Sequence, residues 1–286
     1  MKIWIVGAKG LLGSNLKALC EKQYLPFFAT GKDDVPVTCL EALQRCAEEN
    51  APTHIVNCAA FTDVDGAEKL SKEAYAVNAL GAENVAHVAR EYGTKLVHIS
   101  TDYVFSGCES TSPFLETDPC QPVGVYAQSK WEGELRLLEE FSTACIVRTS
   151  WLFGSKGKNF ISGLLNRLRE LELIKAVDDQ TGRATYCKDL SEVILALLCH
   201  SGVFHFANEG ELTRYQIALD MKQFADEQGV QLACKEIVPV KGSDFPSCAA
   251  RPSYSVLSTK KIESLFGKKP RSWSTVLQEF VGHAAQ

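Results

Sequence analysis

Several features are missing from this 286-residue sequence, and each absence excludes a class of protein. It has no lysine-arginine run long enough to follow a nucleic acid backbone, and its net charge of -5 provides no basic field. No apolar stretch approaches the length of a membrane span, and the segment before the first glycine is too short for a signal-peptide core. We therefore expect a soluble, cytoplasmic protein with no nucleic acid or membrane partner.

The cysteines also lack a pattern. There are 11, an odd number, and none forms a C-x-x-C pair. Cys58 and Cys145, among others, lie inside apolar, strand-like runs. Scattered thiols of this kind are typical of reduced core residues, so we expect neither a disulfide framework nor a zinc site.

The first 150 residues alternate short apolar runs with longer segments of helical periodicity. This alternation predicts an α/β fold with a doubly wound parallel sheet of the Rossmann type. Strands are expected at 2–6, 25–29, 54–59, 95–100 and 144–148, and helices at 11–23, 71–92 and 126–141.

After Trp151 the regular alternation ends. Helices are expected near 160–172, 189–200 and 213–228, with a short strand in GVFHFAN. We therefore divide the chain into a dinucleotide-binding domain over 1–150, with a return segment near 185–206, and a smaller mixed α/β substrate-binding lobe over 151–286.

A glycine motif follows the first predicted strand. Gly7, Gly10 and Gly13 stand between IWIV and a helix that begins near Leu11. Glycine lets the backbone turn sharply and approach a pyrophosphate, whose charge then faces the helix N-terminus. The three-residue interval between the first two glycines is that of short-chain dehydrogenases, so the motif predicts nucleotide binding.

Two further motifs carry polar groups to the expected ligand side of the sheet. Ser100, Thr101 and Asp102 end the fourth predicted strand, and Tyr126 and Lys130 lie one turn apart on the next helix. Ordinary turn capping would explain the first group, and a solvated helix face would explain the second. If the helix starts beside the strand end, Thr101, Tyr126 and Lys130 converge on one carbonyl group.

These features resemble the extended short-chain dehydrogenases and, within them, the dTDP-4-dehydrorhamnose reductase family. The resemblance covers nearly the whole chain and includes GAKGLLG, STDYVFSG, VYAQSKWEGE, RTSWLFG and RPSYSVLSTKKI. Related sugar-nucleotide dehydratases carry a second acid directly after the T-D pair, where this chain has Tyr103. The pattern therefore favours a reductase over an elimination enzyme.

The resemblance implies a reaction and three catalytic residues. NADPH, or NADH as the lesser alternative, would reduce the C4 ketone of dTDP-4-dehydro-L-rhamnose to dTDP-L-rhamnose. Tyr126 would donate the proton, Lys130 would assist it and hold the ribose, and Thr101 would donate a hydrogen bond to the substrate oxygen. An adjacent ammonium and a cationic nicotinamide ring are expected to lower the pKa of the phenol toward neutral.

The resemblance also implies the binding residues. Those near the cofactor are Gly7, Gly10, Leu11, Leu12, Gly13, Thr30, Lys32, Asp34, Val35, Ala59, Ala60, Phe61, Tyr126 and Lys130. Those near the substrate are Thr62, Val64, Thr101, Asp102, Trp151 and Arg251, with Lys156 and Lys158 as further candidates for its diphosphate.

The end of the second predicted strand favours NADPH. NAD-selective sites usually hold a carboxylate about 20 residues after the glycine loop. Here Thr30, Gly31 and Lys32 come first, and they offer a hydroxyl, space and a positive charge to a 2′-phosphate. The alternative is a solvated turn in which Asp33 reaches back to the ribose.

The sequence also bears on a metal site, on an alternative function and on the oligomeric state. Some family members bind magnesium through glutamates at a dimer contact, but this chain has Asn15 at one such position, so we expect no metal. The regulatory subunit of methionine adenosyltransferase is also similar, so a non-catalytic, dinucleotide-binding role is the alternative function. The chain is expected to act as a monomer or a homodimer.

Overall fold

The computed structural model describes residues 1–155, 159–245 and 247–284 and has a six-stranded parallel sheet at its centre. In the first five strands, all side chains except that of Lys95 are buried or half-buried, as expected for a sheet covered on both faces. They are β1 (Ile3–Val6), β2 (Phe27–Thr30), β3 (His54–Asn57), β4 (Lys95–Thr101) and β5 (Cys145–Thr149).

Seven strands follow in the second half of the chain. They are β6 (Leu152–Phe153), β7 (Leu173–Val177), β8 (Thr181–Gly182), β9 (Thr185–Tyr186), β10 (Gly202–His205), β11 (Leu212–Thr213) and β12 (Glu236–Val240). β10 joins the main sheet, whose order is β10-β5-β4-β3-β1-β2. The order reverses between β1 and β3, the position at which open α/β sheets bind ligands.

Helices cover the sheet and build the rest of the molecule. They are α1 (Leu11–Lys22), α2 (Leu40–Asn50), α3 (Val64–Lys69), α4 (Ser71–Tyr75), α5 (Gly81–Glu91), α6 (Val125–Glu140), α7 (Phe160–Glu170), α8 (Cys187–Leu197), α9 (Arg214–Glu227), α10 (Lys260–Phe266) and α11 (Trp273–Ala284). None of the described helices is long and apolar enough to cross a membrane.

The parallel main sheet confirms the predicted fold class, with two local differences. The sequence periodicity did not predict α2. The helix expected over 71–92 is divided into α4 and α5 by a π-helical turn, Ala76–Leu80. Asn78 in this turn is 1% exposed and uses its side-chain amide to hold the loop after β3. A π-helical turn of this kind frequently marks a functional region.

The second half of the chain builds a smaller lobe from α7, α9, α11 and paired short strands. β12 pairs with β7, β11 with β8, and β6 with β9. Its core includes Leu168, Ile217, Met221 and Val276, all fully buried. The segment from 185 to 206 does not belong wholly to this lobe, because β10 lies beside β5 and α8 packs against α1.

A buried ion pair joins α6 to the main sheet. The Arg148 guanidinium on β5 donates to both carboxylate oxygens of Glu134, at 2.7 to 3.1 Å. Their side chains are only 4% and 1% exposed, and Ser100 also donates to Glu134. Because Glu134 lies one turn after Lys130, this pair fixes the helix that carries the proposed catalytic residues.

Candidate active site

The glycine motif forms a close-packed cradle at the carboxyl end of β1. Gly7 has φ +78°, and a Cβ atom there would lie 2.6 Å from the backbone nitrogen of Ala59. A Cβ atom on Gly13 would meet the Gly7 carbonyl oxygen. No larger residue fits at these two positions, and the backbone is thereby left accessible at the start of α1.

A cleft of about 710 Å³ opens beside this cradle. Its volume lies in the range of small-molecule sites. The predicted cofactor residues that line it are Gly7, Gly10, Lys32, Val35, Ala59, Ala60 and Phe61. Thr62, which we expected on the substrate side, lines the same cleft.

The other predicted cofactor residues do not line the cleft. Thr30 is buried, and its hydroxyl accepts a hydrogen bond from the Trp4 indole at 2.9 Å. Asp34 accepts a hydrogen bond from the Gly31 backbone N–H at 3.0 Å. This hydrogen bond, and to a lesser extent the charge of Lys9, holds the pKa of Asp34 below its usual range. Leu11, Leu12 and Gly13 form the first turn of α1.

Thr101 ends β4 and caps the turn that follows. Its hydroxyl oxygen accepts from the backbone N–H of Tyr103 at 3.2 Å and donates to Asp102 at 3.1 Å. Asp102 is 2% exposed, and burial raises its pKa to about 6. The strand end therefore presents a hydroxyl that is already oriented by a buried carboxyl group.

Tyr126 is the second residue of α6 and lies beside this strand end, at the helix start where the sequence predicts it. Its ring meets the ring of Tyr103 edge to face, with centroids 5.4 Å apart. Burial raises the pKa of Tyr126, the neighbouring Thr101 hydroxyl lowers it, and Asp102 raises it further. This direction is opposite to our expectation, because desolvation of the phenolate is the largest effect in this structure.

Lys130 is 2% exposed and turns toward the sheet. Its Nζ donates to the backbone oxygen of Ile99 at 2.8 Å and lies 3.4 Å from His98 Nε2. Burial lowers the pKa of Lys130 to about 8, while Glu134 and Cys58 oppose that shift. Because its Nζ is hydrogen-bonded to the Ile99 carbonyl, Lys130 does not lower the pKa of Tyr126 in this structure.

Two of the predicted substrate residues, Arg251 and Val64, lie where the smaller lobe meets α3 and the turn after β4. Arg251 donates to the Tyr103 hydroxyl at 3.2 Å and forms a 2.7 Å ion pair with Asp65. Val64 and Asp65 are the first two residues of α3. Arg251 therefore connects the lobe to β4 and α3, and much of its charge is already balanced.

Trp151 follows β5 in a conformation unusual for a residue with a side chain, with φ +43°. Its ring packs closely on Gly182, where a Cβ atom would come within 2.7 Å of the indole. The guanidinium carbon of Arg214 lies 4.7 Å from the ring centroid. Lys156 and Lys158 lie outside the described residues.

The described ranges contain no group of three or more histidine, cysteine, aspartate or glutamate side chains able to hold a metal. Asn15, the position that bears on a magnesium site, donates from Nδ2 to the Leu11 carbonyl at 2.7 Å. All 11 cysteines are free thiols.

The whole chain, residues 1–286, matches the family model described as the RmlD substrate binding domain. It is also 38% identical to the dTDP-4-dehydrorhamnose reductase of Mycobacterium tuberculosis, over 96% of this chain and 91% of that protein. The chain belongs to the dTDP-4-dehydrorhamnose reductase family.

Solved structures of the reductase family share this fold. A dTDP-4-dehydrorhamnose reductase from Clostridium acetobutylicum matches with a TM-score of 0.94 at 33% identity, covering 100% of both chains. Another from Bacillus anthracis, in complex with NADP, gives a TM-score of 0.92 at 34% identity and covers 99% of both chains. The likeness extends over both lobes.

Sequence reasoning missed several residues that shape this site. Asn78 accepts from the Phe61 backbone N–H at 2.8 Å and donates to Ser129 on α6 at 3.0 Å. Lys9, an unassigned position between the glycines, lines the cofactor cleft and pairs with Asp33 at 3.1 Å. Their partners are distant or unremarkable in the sequence, so no local signal marked them.

Proposed function

We propose that this chain reduces the C4 ketone of dTDP-4-dehydro-L-rhamnose with NADPH and forms dTDP-L-rhamnose. The observation that carries this function is the placement of Thr101 beside Tyr126 at the carboxyl edge of the sheet, the edge that also holds the glycine cradle. Membership of the reductase family supports the reaction, and the NADP-bound Bacillus anthracis relative supports the cofactor.

The residues around the cleft fit a dinucleotide. The glycine cradle admits a pyrophosphate against the start of α1, and Lys32 offers a charge for the 2′-phosphate. Val35, Ala59, Ala60 and Phe61 provide apolar contacts for the adenosine half. When bound, the reduced nicotinamide supplies the hydride.

Proton donation belongs to Tyr126. The raised pKa keeps the phenol protonated at neutral pH, which suits a group that gives its proton to the forming alkoxide. In the free protein the Thr101 hydroxyl donates its single proton to Asp102, so it hydrogen-bonds the forming alkoxide once that proton turns toward the substrate oxygen. Lys130 binds the ribose and stabilises the tyrosinate left after transfer, once its side chain leaves the Ile99 carbonyl.

Each lobe binds one of the two reactants. The dinucleotide-binding domain comprises 1–150 with the return segment near 185–206, and the rest of 151–286 binds the sugar nucleotide. Arg251, Trp151, Thr62 and Val64 lie on the substrate side, although Thr62 also lines the cofactor cleft. The free thiols suit the reducing cytoplasm.

The deciding experiment measures oxidation of NADPH by the purified chain with dTDP-4-dehydro-L-rhamnose and identifies dTDP-L-rhamnose as product. A panel of other 4-keto sugar nucleotides serves as the control for sugar and nucleotide identity. If NADPH binds but no member of the panel is reduced, the non-catalytic binding role replaces this proposal. Light scattering of the same sample distinguishes a monomer from a homodimer.

A further inference from the structure

Arg214, the first residue of α9, lies between two aromatic side chains. Its guanidinium carbon is 4.7 Å from the centroid of the Trp151 ring and 4.5 Å from that of Phe160. Stacking on aromatic faces restricts a guanidinium group and stabilises its charge by cation–π attraction. The side chain is therefore held in one place before any ligand arrives.

The charge of Arg214 has no direct counter-ion. Across residues 1–155, 159–245 and 247–284, no carboxylate forms an ion pair with it, and no acceptor receives a hydrogen bond from its guanidinium. Burial lowers its pKa, and the charge of Arg251 adds to this effect. Arg214 is half-buried, and a partly desolvated cation without an acceptor is stabilised when an anion completes its surroundings.

The neighbours of Arg214 place it at the substrate opening. Tyr103 and Asp102 are near enough to raise its pKa, and the Tyr103 ring contacts Tyr126. Arg251 also reaches Tyr103, but its charge is balanced by Asp65 at 2.7 Å. Of these two arginines, only Arg251 forms an ion pair within the described ranges, and Arg214 forms none.

We propose that Arg214, clamped between Trp151 and Phe160, binds the diphosphate of the nucleotide-sugar substrate. This rests on the proposed function, in which the diphosphate is the anionic part of the substrate. The planar guanidinium offers paired donors to phosphate oxygens, and stacking on its aromatic neighbours fixes its plane. Trp151 then acts on the substrate through Arg214, as a positioning residue.

The test compares the full-length protein with Arg214→Gln and Arg214→Lys by calorimetric titration in the presence of saturating NADPH. The ligands are dTDP, UDP and the corresponding free nucleosides. We expect Arg214→Gln to bind the preferred diphosphate roughly 10- to 100-fold more weakly, with nucleoside affinity unchanged. Arg214→Lys should recover part of the loss, because it restores charge without paired donors.

Arg183→Gln is the matched control, since Arg183 belongs to the same lobe, is 14% exposed and lies near Glu211 and Thr259. It should leave diphosphate affinity unchanged. Wild-type affinity for the diphosphate in Arg214→Gln, or an equal loss for nucleoside and diphosphate, overturns the role of Arg214 alone. If the wild-type protein binds neither diphosphate, the nucleotide-sugar function fails as well.

Discussion

Lys130 Nζ lies 3.4 Å from His98 Nε2 inside the protein. On the other side of the imidazole, the Asn57 amide donates to His98 Nδ1 at 3.1 Å, and the Asn57 oxygen accepts from the Ala59 backbone N–H at 3.1 Å. Because the Ala59 N–H can only donate, this chain of contacts leaves the proton of a neutral His98 on Nε2. That proton faces Lys130 and disfavours the ammonium form.

Activity should therefore depend on the ionisation of Lys130. Burial lowers its pKa to about 8, against the opposing effects of Glu134 and Cys58, and burial together with Lys130 keeps His98 neutral. Below this pKa the ammonium predominates, and above it the charge needed for the ribose and the tyrosinate is lost. We expect kcat/KM to fall as pH rises through about 8.

The pH profile of kcat/KM with saturating NADPH tests this expectation. Tyr126 does not contribute to the fall, because burial raises its pKa. Lys130→Arg keeps a positive charge at every accessible pH and should remove the decline, even if its overall rate is lower. A wild-type profile that stays flat to about pH 10, near the ordinary pKa of lysine, would contradict the assignment.

Replacement of Tyr126 by Phe removes the transferable proton and retains the ring that packs on Tyr103. We expect a loss in kcat of roughly 10²-fold or more, with little change in NADPH affinity. Tyr103→Phe is the matched control, because it removes a neighbouring phenol hydroxyl that accepts from Arg251 and should cost far less. Near-normal turnover in Tyr126→Phe would require another proton donor.

Cofactor preference should depend on Lys32. It is exposed at the rim of the cleft, whereas the charge of Lys9 is already offset by Asp33 and Asp34 at 3.1 and 3.5 Å. We expect Lys32→Ala to reduce the ratio of kcat/KM for NADPH over NADH roughly tenfold, the value of one charge-assisted contact. Lys22→Ala, in the last turn of α1, controls for the change in net charge. If Lys32→Ala leaves the NADPH-to-NADH ratio of kcat/KM unchanged, Lys32 does not contact the cofactor.

The buried pair of Glu134 and Arg148 should be important for stability. Removal of one partner leaves a buried charge without compensation, so Glu134→Ala is expected to cost about 3–5 kcal/mol of unfolding free energy. Glu172 and Lys235 form a control pair at 2.8 Å with side chains 73% and 74% exposed, and Glu172→Ala should cost less than about 1 kcal/mol. Urea denaturation of both variants measures their losses of unfolding free energy. Equal losses would show that burial does not determine how much an ion pair contributes to stability.

Periodicity predicted the first five strands because most are short, largely apolar runs. It predicted α1, α5 and α6 from their apolar stripes but did not predict α2. The positions of Thr101 and Tyr126 also followed, since strand ends and helix starts meet at one edge of the sheet. His98 and Arg214 could not be predicted in the same way. From the sequence alone, a histidine in an apolar strand is interpreted as a core residue and an arginine at a helix start as a solvated one. Their roles depend on chain segments that are far apart in sequence and meet only in the fold.

Asp102 combines burial with an incomplete set of hydrogen bonds. Its Oδ2 atom has no hydrogen-bond partner in the described part of the chain, and burial raises its pKa to about 6 although Ser255 and Thr101 oppose the shift. Above this pKa the folded protein holds a poorly compensated carboxylate. Asp102→Asn should therefore raise the Tm at pH 8 by about 2–4 °C, corresponding to roughly 1 kcal/mol in a chain of this size.

The sign of the pH dependence distinguishes this account from a general effect of the substitution. As pH falls below about 6, Asp102 takes up a proton in the folded state before it would in the unfolded chain, so the wild-type protein regains stability relative to Asp102→Asn. The difference in Tm between the two proteins should shrink from pH 8 to pH 5. Other titrating groups are shared by both proteins and largely cancel in the difference, so a constant gap would mean that the carboxylate is not the source.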